Sequence, residues 1–155
     1  NWHQEVSDFE ERQHILRIRA NGSFKTLILP YRKGEERDDL EVVQENGNLR
    51  ITSGNENIVI GKDFYTYQTA NRKVIVAIND KFAELDDICV EGGQTEVDID
   101  SSKATIRIHG LKGLRRISLP GAWKIKEESF AVEYKSGILT IDYQDDEPLI
   151  ISLVK

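Results

Sequence analysis

Apolar and polar residues alternate with a period of two along most of the chain. Leu16, Ile18 and Ala20 alternate with Arg17 and Arg19, and Leu49 and Ile51 alternate with Arg50 and Thr52. Val97 and Ile99 are interleaved with Glu96, Asp98 and Asp100, and Ala104, Ile106 and Ile108 with Thr105, Arg107 and His109. Leu139, Ile141 and Tyr143 are separated by Thr140 and Asp142. Successive side chains of a strand point to opposite faces, so this pattern predicts antiparallel strands with one apolar and one solvated face. Val74 to Ile78, Leu27 to Leu29 and Leu149 to Val154 (broken only by Ser152) are apolar at both parities. They are expected to be central strands or strands covered on both sides.

Turn residues punctuate these runs. Asn46-Gly47 separates Leu40–Glu45 from Leu49–Ser53, and Ser136-Gly137 separates Ala131–Lys135 from Ile138–Tyr143. Asn46-Gly47 is the strongest short hairpin signal in the chain. Gly92-Gly93 and Asp100-Ser101-Ser102 bracket a strand at Gln94–Asp100, and Asn21-Gly22-Ser23 divides the first two strands. Turns recur about every eight to twelve residues, the rhythm of a sandwich or barrel. Pro30, Pro120 and Pro148 fall at strand edges or entries, where the missing N–H does little harm. Phe82, Leu85 and Ile88 have helix-like spacing that supports at most one short turn. The expectation is an all-β fold, an antiparallel β-sandwich of roughly ten to thirteen strands with little or no helix. Residues 1–12 read as a polar arm or edge strand, and residues 13–155 as a single sandwich domain.

Composition narrows the functional classes. The 155 residues include 21 basic and 27 acidic side chains, a net charge of −6, which repels nucleic acid and anionic membrane. Neither is expected as a partner. No apolar run approaches the length of a membrane-spanning helix. Cys89 is the single cysteine, so no internal disulfide forms. The chain carries no initiator methionine, signal peptide or lipidation motif, and it reads as a piece of a longer protein or a processed product.

Candidate chemistry is sparse. His3, His14 and His109 share no metal-ligand spacing, and no nucleophile motif or phosphate loop occurs. Asp86-Asp87, Glu127-Glu128 and Asp145-Asp146-Glu147 lie in expected loops and lack calcium-loop spacing, so they read as solvated charge. No catalytic residue, metal site or cofactor is expected. Asn21-Gly22-Ser23 matches a glycosylation sequon, but a hairpin turn already accounts for it. Aromatic residues offer the best binding candidates. Trp123 has Lys112, Arg115, Arg116, Lys124 and Lys126 near it in sequence, a basic and aromatic rim suited to an acidic sugar. The competing reading is that Trp123 plugs one end of the core and that Tyr65 and Tyr67 are packing residues. Trp123, Lys124, Arg116 and Tyr31 are the glycan-contact candidates.

Ser23-Phe-Lys-Thr-Leu-Ile-Leu-Pro-Tyr-Arg-Lys-Gly-Glu-Glu36 contains an aromatic-x-Thr-x-Leu-x-Pro run followed by basic residues, Gly and Glu. This stretch resembles one in the C-terminal β-sandwich of heparinase II/III-type polysaccharide lyases. Ala104-Thr-Ile-Arg-Ile-His-Gly110 and the strand-rich tail are compatible with it. The resemblance implies a non-catalytic domain that supports a catalytic region elsewhere in the parent polypeptide and touches the glycan through a loop. It implies an acidic polysaccharide as substrate, a periplasmic or secreted location, and the remainder of the polypeptide as partner. That family's catalytic Tyr, His and Asn map onto no motif here, although Tyr31 and His3 are of the right types. Two other readings stand beside it, an autonomous carbohydrate-binding or adhesion module and a structural protein-interaction sandwich.

Overall fold

The computed structural model describes residues 13–17, 26–30, 39–79, 82–126, 132–145 and 147–155. The chain forms two compact units, residues 1–38 and 39–155. In the first, β1 (Gln13–Arg17) pairs antiparallel with β2 (Thr26–Pro30), with Ile15 opposite Ile28 and Leu16 opposite Leu27. The expected arm, the Asn21-Gly22-Ser23 turn and the surroundings of Leu27–Leu29 lie outside the described residues.

The second unit is an all-β antiparallel sandwich with fourteen strands and no helix among the described residues. A meander opens it: β3 (Glu41–Glu45), β4 (Asn48–Ser53), β5 (Glu56–Ile60), β6 (Phe64–Gln68) and β7 (Arg72–Ala77). There follow β8 (Ala83–Leu85), β9 (Ile88–Glu91), β10 (Thr95–Asp100), β11 (Lys103–Ile108) and β12 (Gly113–Ser118). The last four are β13 (Lys124–Ile125), β14 (Val132–Lys135), β15 (Ile138–Tyr143) and β16 (Leu149–Val154). With β1 and β2 the described residues hold sixteen strands, above the ten to thirteen that the sequence rhythm suggests. Strands as short as β8 and β13 carry no period of their own.

Nine strands form one sheet in the order β13-β16-β11-β10-β7-β6-β5-β4-β3, and five form the other in the order β14-β15-β12-β9-β8. Beyond β7 the chain alternates between the two sheets, so most connections are crossings between layers. Hairpin turns set the register within each layer. Asn46 and Gly47 have φ of 49° and 79°, and Ser136 and Gly137 have φ of 54° and 81°. Both pairs adopt a doubly left-handed turn, which matches the strand twist. At one crossing, Gly110 combines a φ of 79° with a position where a Cβ would collide with the Gln94 side chain. Gln94 Oε1 accepts a hydrogen bond from the Leu111 N–H at 3.2 Å, so this glycine keeps the loop closed.

The core lies between β7, β10, β11 and β16 of the large sheet and the whole of the small one. Ile75, Val97, Ile106 and Leu153 from the first layer are fully buried, as are Val90, Ile117, Leu139 and Ile141 from the second. These are the period-two apolar positions, and burying each contributes about 1.5–3 kcal/mol.

The large sheet has a second apolar face on its other side. Register aligns Ile51, Ile58, Tyr67 and Val74 across β4–β7, and in the next row Leu49, Ile60, Tyr65 and Val76. Leu49 and Ile51 are buried and the other six half-buried. Val74 and Val76 alternate with Ile75 and Ala77, which face the small sheet. The run Val74–Ile78 thus supplies a central strand, as its two-sided hydrophobicity suggests.

One expectation is corrected. Leu149–Val154 is not covered on both sides. β16 lies next to the sheet edge, flanked by the two-residue β13, and Ile150 is 61 % exposed. An apolar run cannot distinguish a covered face from one that water reaches. The helix-like trio forms no helix and spans a hairpin, with Phe82 before β8 and exposed, Leu85 ending β8 and Ile88 opening β9.

Polar contacts join the layers at their margin. Lys73 Nζ of β7 lies 2.8 Å from Asp86 and 3.3 Å from Asp87, in the β8–β9 turn, and Gln68 Nε2 donates to Asp86 at 2.8 Å. The bond to Lys73 lowers the Asp86 carboxyl, and the Asp86 bond raises the Lys73 ammonium.

Ile106→Ala should destabilise the domain by about 2–5 kcal/mol, whereas Ile150→Ala on the adjacent strand should change stability by less than about 0.5 kcal/mol. Urea unfolding separates the two. Asp86 is held below its ordinary value, so its contribution is present above the usual carboxylate range and lost as pH falls through the lower folded value. Lys73 is raised, so its share disappears as pH climbs through the ammonium range. Asp86→Asn should therefore lower stability by no more than about 1 kcal/mol near neutrality, with the difference from wild type vanishing in acid. Thermal midpoints followed across pH check this.

Candidate functional site

One end of the sandwich stays open where three turns converge. The β6–β7 turn is built on Thr69, whose N–H donates to the Arg72 carbonyl at 2.8 Å and whose Oγ1 accepts from Arg72 N at 3.1 Å. In the β10–β11 turn, Asp100 Oδ1 accepts from Ser102 N and Lys103 N, each at 2.8 Å. These backbone bonds hold the Asp100 carboxyl below its ordinary value. The third segment, 119–123, crosses from β12 to β13. Trp123 Nε1 donates to the Pro120 carbonyl at 2.8 Å, and Tyr134 Oη donates to the Gly121 carbonyl at 2.8 Å. Between them lies an open pocket of about 210 Å³ whose lining includes Asn71, Arg72, Asp100, Pro120, Trp123 and Lys155.

Trp123 is 5 % exposed and belongs to the core cluster. The Lys155 ammonium sits 4.9 Å from its ring centroid. Trp123 is therefore a core plug whose edge reaches the pocket, and not the open stacking platform that a sugar face would need.

The other candidates are not gathered around it. Lys124 is exposed on β13 opposite Val154, and by register it shares the large sheet's outward face. Arg116 is exposed on the small sheet's outward face, opposite Glu91 and Thr140. It borders a shallow groove with Glu133, Lys135 and Ile138. Tyr31 and His3 lie outside the described residues. Sequence proximity fails here because the chain changes sheets between Arg116 and Lys124.

Arg115 also leaves the proposed rim. It is 2 % exposed, its Nη1 and Nη2 donate to the Leu114 and Leu111 carbonyls at 3.3 and 2.5 Å, and its Nε is buried without a partner. Its alternation with Ile117 and Leu119 was the available signal, since it places Arg115 at core parity. His109 is exposed just after β11, in keeping with a solvent-facing role. Tyr65 and Tyr67 share a face as expected, and burial, then Tyr67, raises the Tyr65 hydroxyl.

Among the described residues no three His, Cys, Asp or Glu side chains are grouped to hold a metal ion. No described helix is long and apolar enough to cross a membrane. Searches against protein families, curated proteins and solved structures find no match to this chain.

Trp123→Ala should cost about 3–5 kcal/mol, the loss of a large core side chain, while Lys124→Ala and Arg116→Ala should each stay within about 0.5 kcal/mol of wild type. Denaturant midpoints of the three variants check the assignment of the tryptophan to the core.

Proposed function

We propose that this chain is a non-catalytic β-sandwich from a heparinase II/III-type polysaccharide lyase, whose role is to pack against the catalytic region of its polypeptide and hold that region's cleft in shape. The observation that carries the reading is the second apolar face on β4–β7. Aligned isoleucines, valines and tyrosines run across the face turned away from the sandwich core, with Leu49 and Ile51 buried and Ile58, Ile60, Tyr65, Tyr67, Val74 and Val76 half-buried. The half-buried part of that face is the surface that docking against the catalytic region would cover. A rigid nine-stranded sheet is also well suited to support a site built elsewhere. The segment that carries the resemblance includes β2, which ends at Pro30.

The reading is consistent with the side chains available. Lyase chemistry requires a base and a group that neutralises a uronate carboxylate within one cleft. Among the described acidic side chains, Asp86 and Asp87 are bound to Lys73, Asp98 to Arg72, and Asp100 is tied into its own turn. On this proposal the protein is periplasmic or secreted.

The purified chain should generate no unsaturated uronate product, followed by ultraviolet absorbance, from any acidic glycan tested. It should bind the separately expressed helical catalytic region, and Ile58→Lys with Tyr67→Lys should abolish that binding while the circular dichroism remains that of a β-sheet protein. Turnover by the chain alone, or binding indifferent to the double substitution, refutes the proposal.

A further inference from the structure

β3 is an end strand of the nine-stranded sheet, and among the described residues no strand pairs with its outer side. An open edge offers unpaired N–H and C=O groups to any chain that can extend beside it, and proteins blunt such edges with short strands, lysine, proline or a bulge. The other end strands of the two sandwich sheets, β8, β13 and β14, have three, two and four residues. β3 has five, Glu-Val-Val-Gln-Glu, with neither lysine nor proline. Its register on β4 runs unbroken from Glu41 opposite Thr52 to Glu45 opposite Asn48. The Asn46-Gly47 turn decides which groups face outward. A two-residue turn is closed by a hydrogen-bonded pair, and bonded and non-bonded pairs then alternate along the ladder. Glu45, Val43 and Glu41 therefore bond to β4, and Val42 and Gln44 turn their N–H and C=O away from it.

The side chains specify which strand fits. Glu41, Val43 and Glu45 share one face of β3, and Val42 and Gln44 share the other. Val42 stands opposite Ile51 and so ends the apolar row that runs through Ile58 and Tyr67 to Val74. On the acidic face Arg50 lies 3.6 Å from Glu45, while Glu41 is exposed and has no ion-pair partner among the described residues. A second copy docking its own β3 antiparallel about Val43 would set Glu41 against Glu45 twice, and like charges directly opposite each other disfavour pairing. A basic strand meets no such penalty. We propose that β3 is a docking edge for an extended basic segment of a partner polypeptide, which adds antiparallel as a further strand with a lysine or arginine opposite Glu41 and Glu45 and an apolar residue opposite Val42. Main-chain bonds to Val42 and Gln44 supply the affinity, and the side chains on the two faces supply the choice of partner.

The experiment adds the peptide acetyl-Thr-Lys-Thr-Val-Val-Lys-Thr-amide to the full chain and follows the backbone amide resonances and their hydrogen exchange. The Val42 and Gln44 amides should exchange fast in the free chain and become protected at saturating peptide, and added salt should weaken binding. A peptide with glutamate in place of both lysines should bind at least about tenfold more weakly, as should the lysine peptide to Gln44→Pro. Proline at this outward-facing N–H removes a docking donor and leaves the β3–β4 ladder intact, which circular dichroism verifies. Protection of both amides before peptide is added, concentration-dependent dimerisation through β3, equal binding of the glutamate peptide, undiminished binding to Gln44→Pro, or no binding of the lysine peptide overturns the proposal. Binding of the catalytic region is a separate measurement, so either can fail alone.

Discussion

β7 presents apolar side chains on both of its faces, and the architecture of residues 39–155 follows from that. Ile75 and Ala77 turn to the small sheet and enter the sandwich core, while Val74 and Val76 continue the apolar rows of β4, β5 and β6 on the other side. A strand has only two faces, and burying both requires two different partners. The small sheet supplies one. On the other, Leu49 and Ile51 are buried and Val74 and Val76 half-buried.

The polar groups are placed where that burial ends. Lys73 reaches from β7 to the Asp86-Asp87 turn, and Arg72 bonds Asp98 on the outward face of the same sheet. These exposed pairs contribute little energy each, but they fix which turn meets which strand. Arg115 is the exception. It brings a guanidinium to core parity and relies on the carbonyls of Leu111 and Leu114, with one N–H unmet. Buried polar groups are costly unless bonded, so the loop at Leu111–Leu114 is constrained by the residue it encloses.

The proposed packing role uses the large sheet's second apolar face, and the pocket left open by three converging turns at the Trp123 end takes no part in it.

Much of the secondary structure follows from the sequence alone, because its signals are local. Alternation marked β10, β11 and β15, and Asn46-Gly47 and Ser136-Gly137 fixed their hairpins, since positive φ at both central residues admits few alternatives. Net charge and the single cysteine are equally direct. Which layer each strand joins was decided by tertiary structure, because a strand's period is the same in either sheet. That choice separated Arg116 from Lys124, left β16 near an edge with Ile150 in water, and turned Phe82–Ile88 into a hairpin. It also buried Trp123 and brought Lys155 over its ring, a pairing of residues 32 positions apart that no local pattern encodes. Contacts between distant segments depend on how whole layers stack, and the alternation of neighbouring side chains carries no information about that.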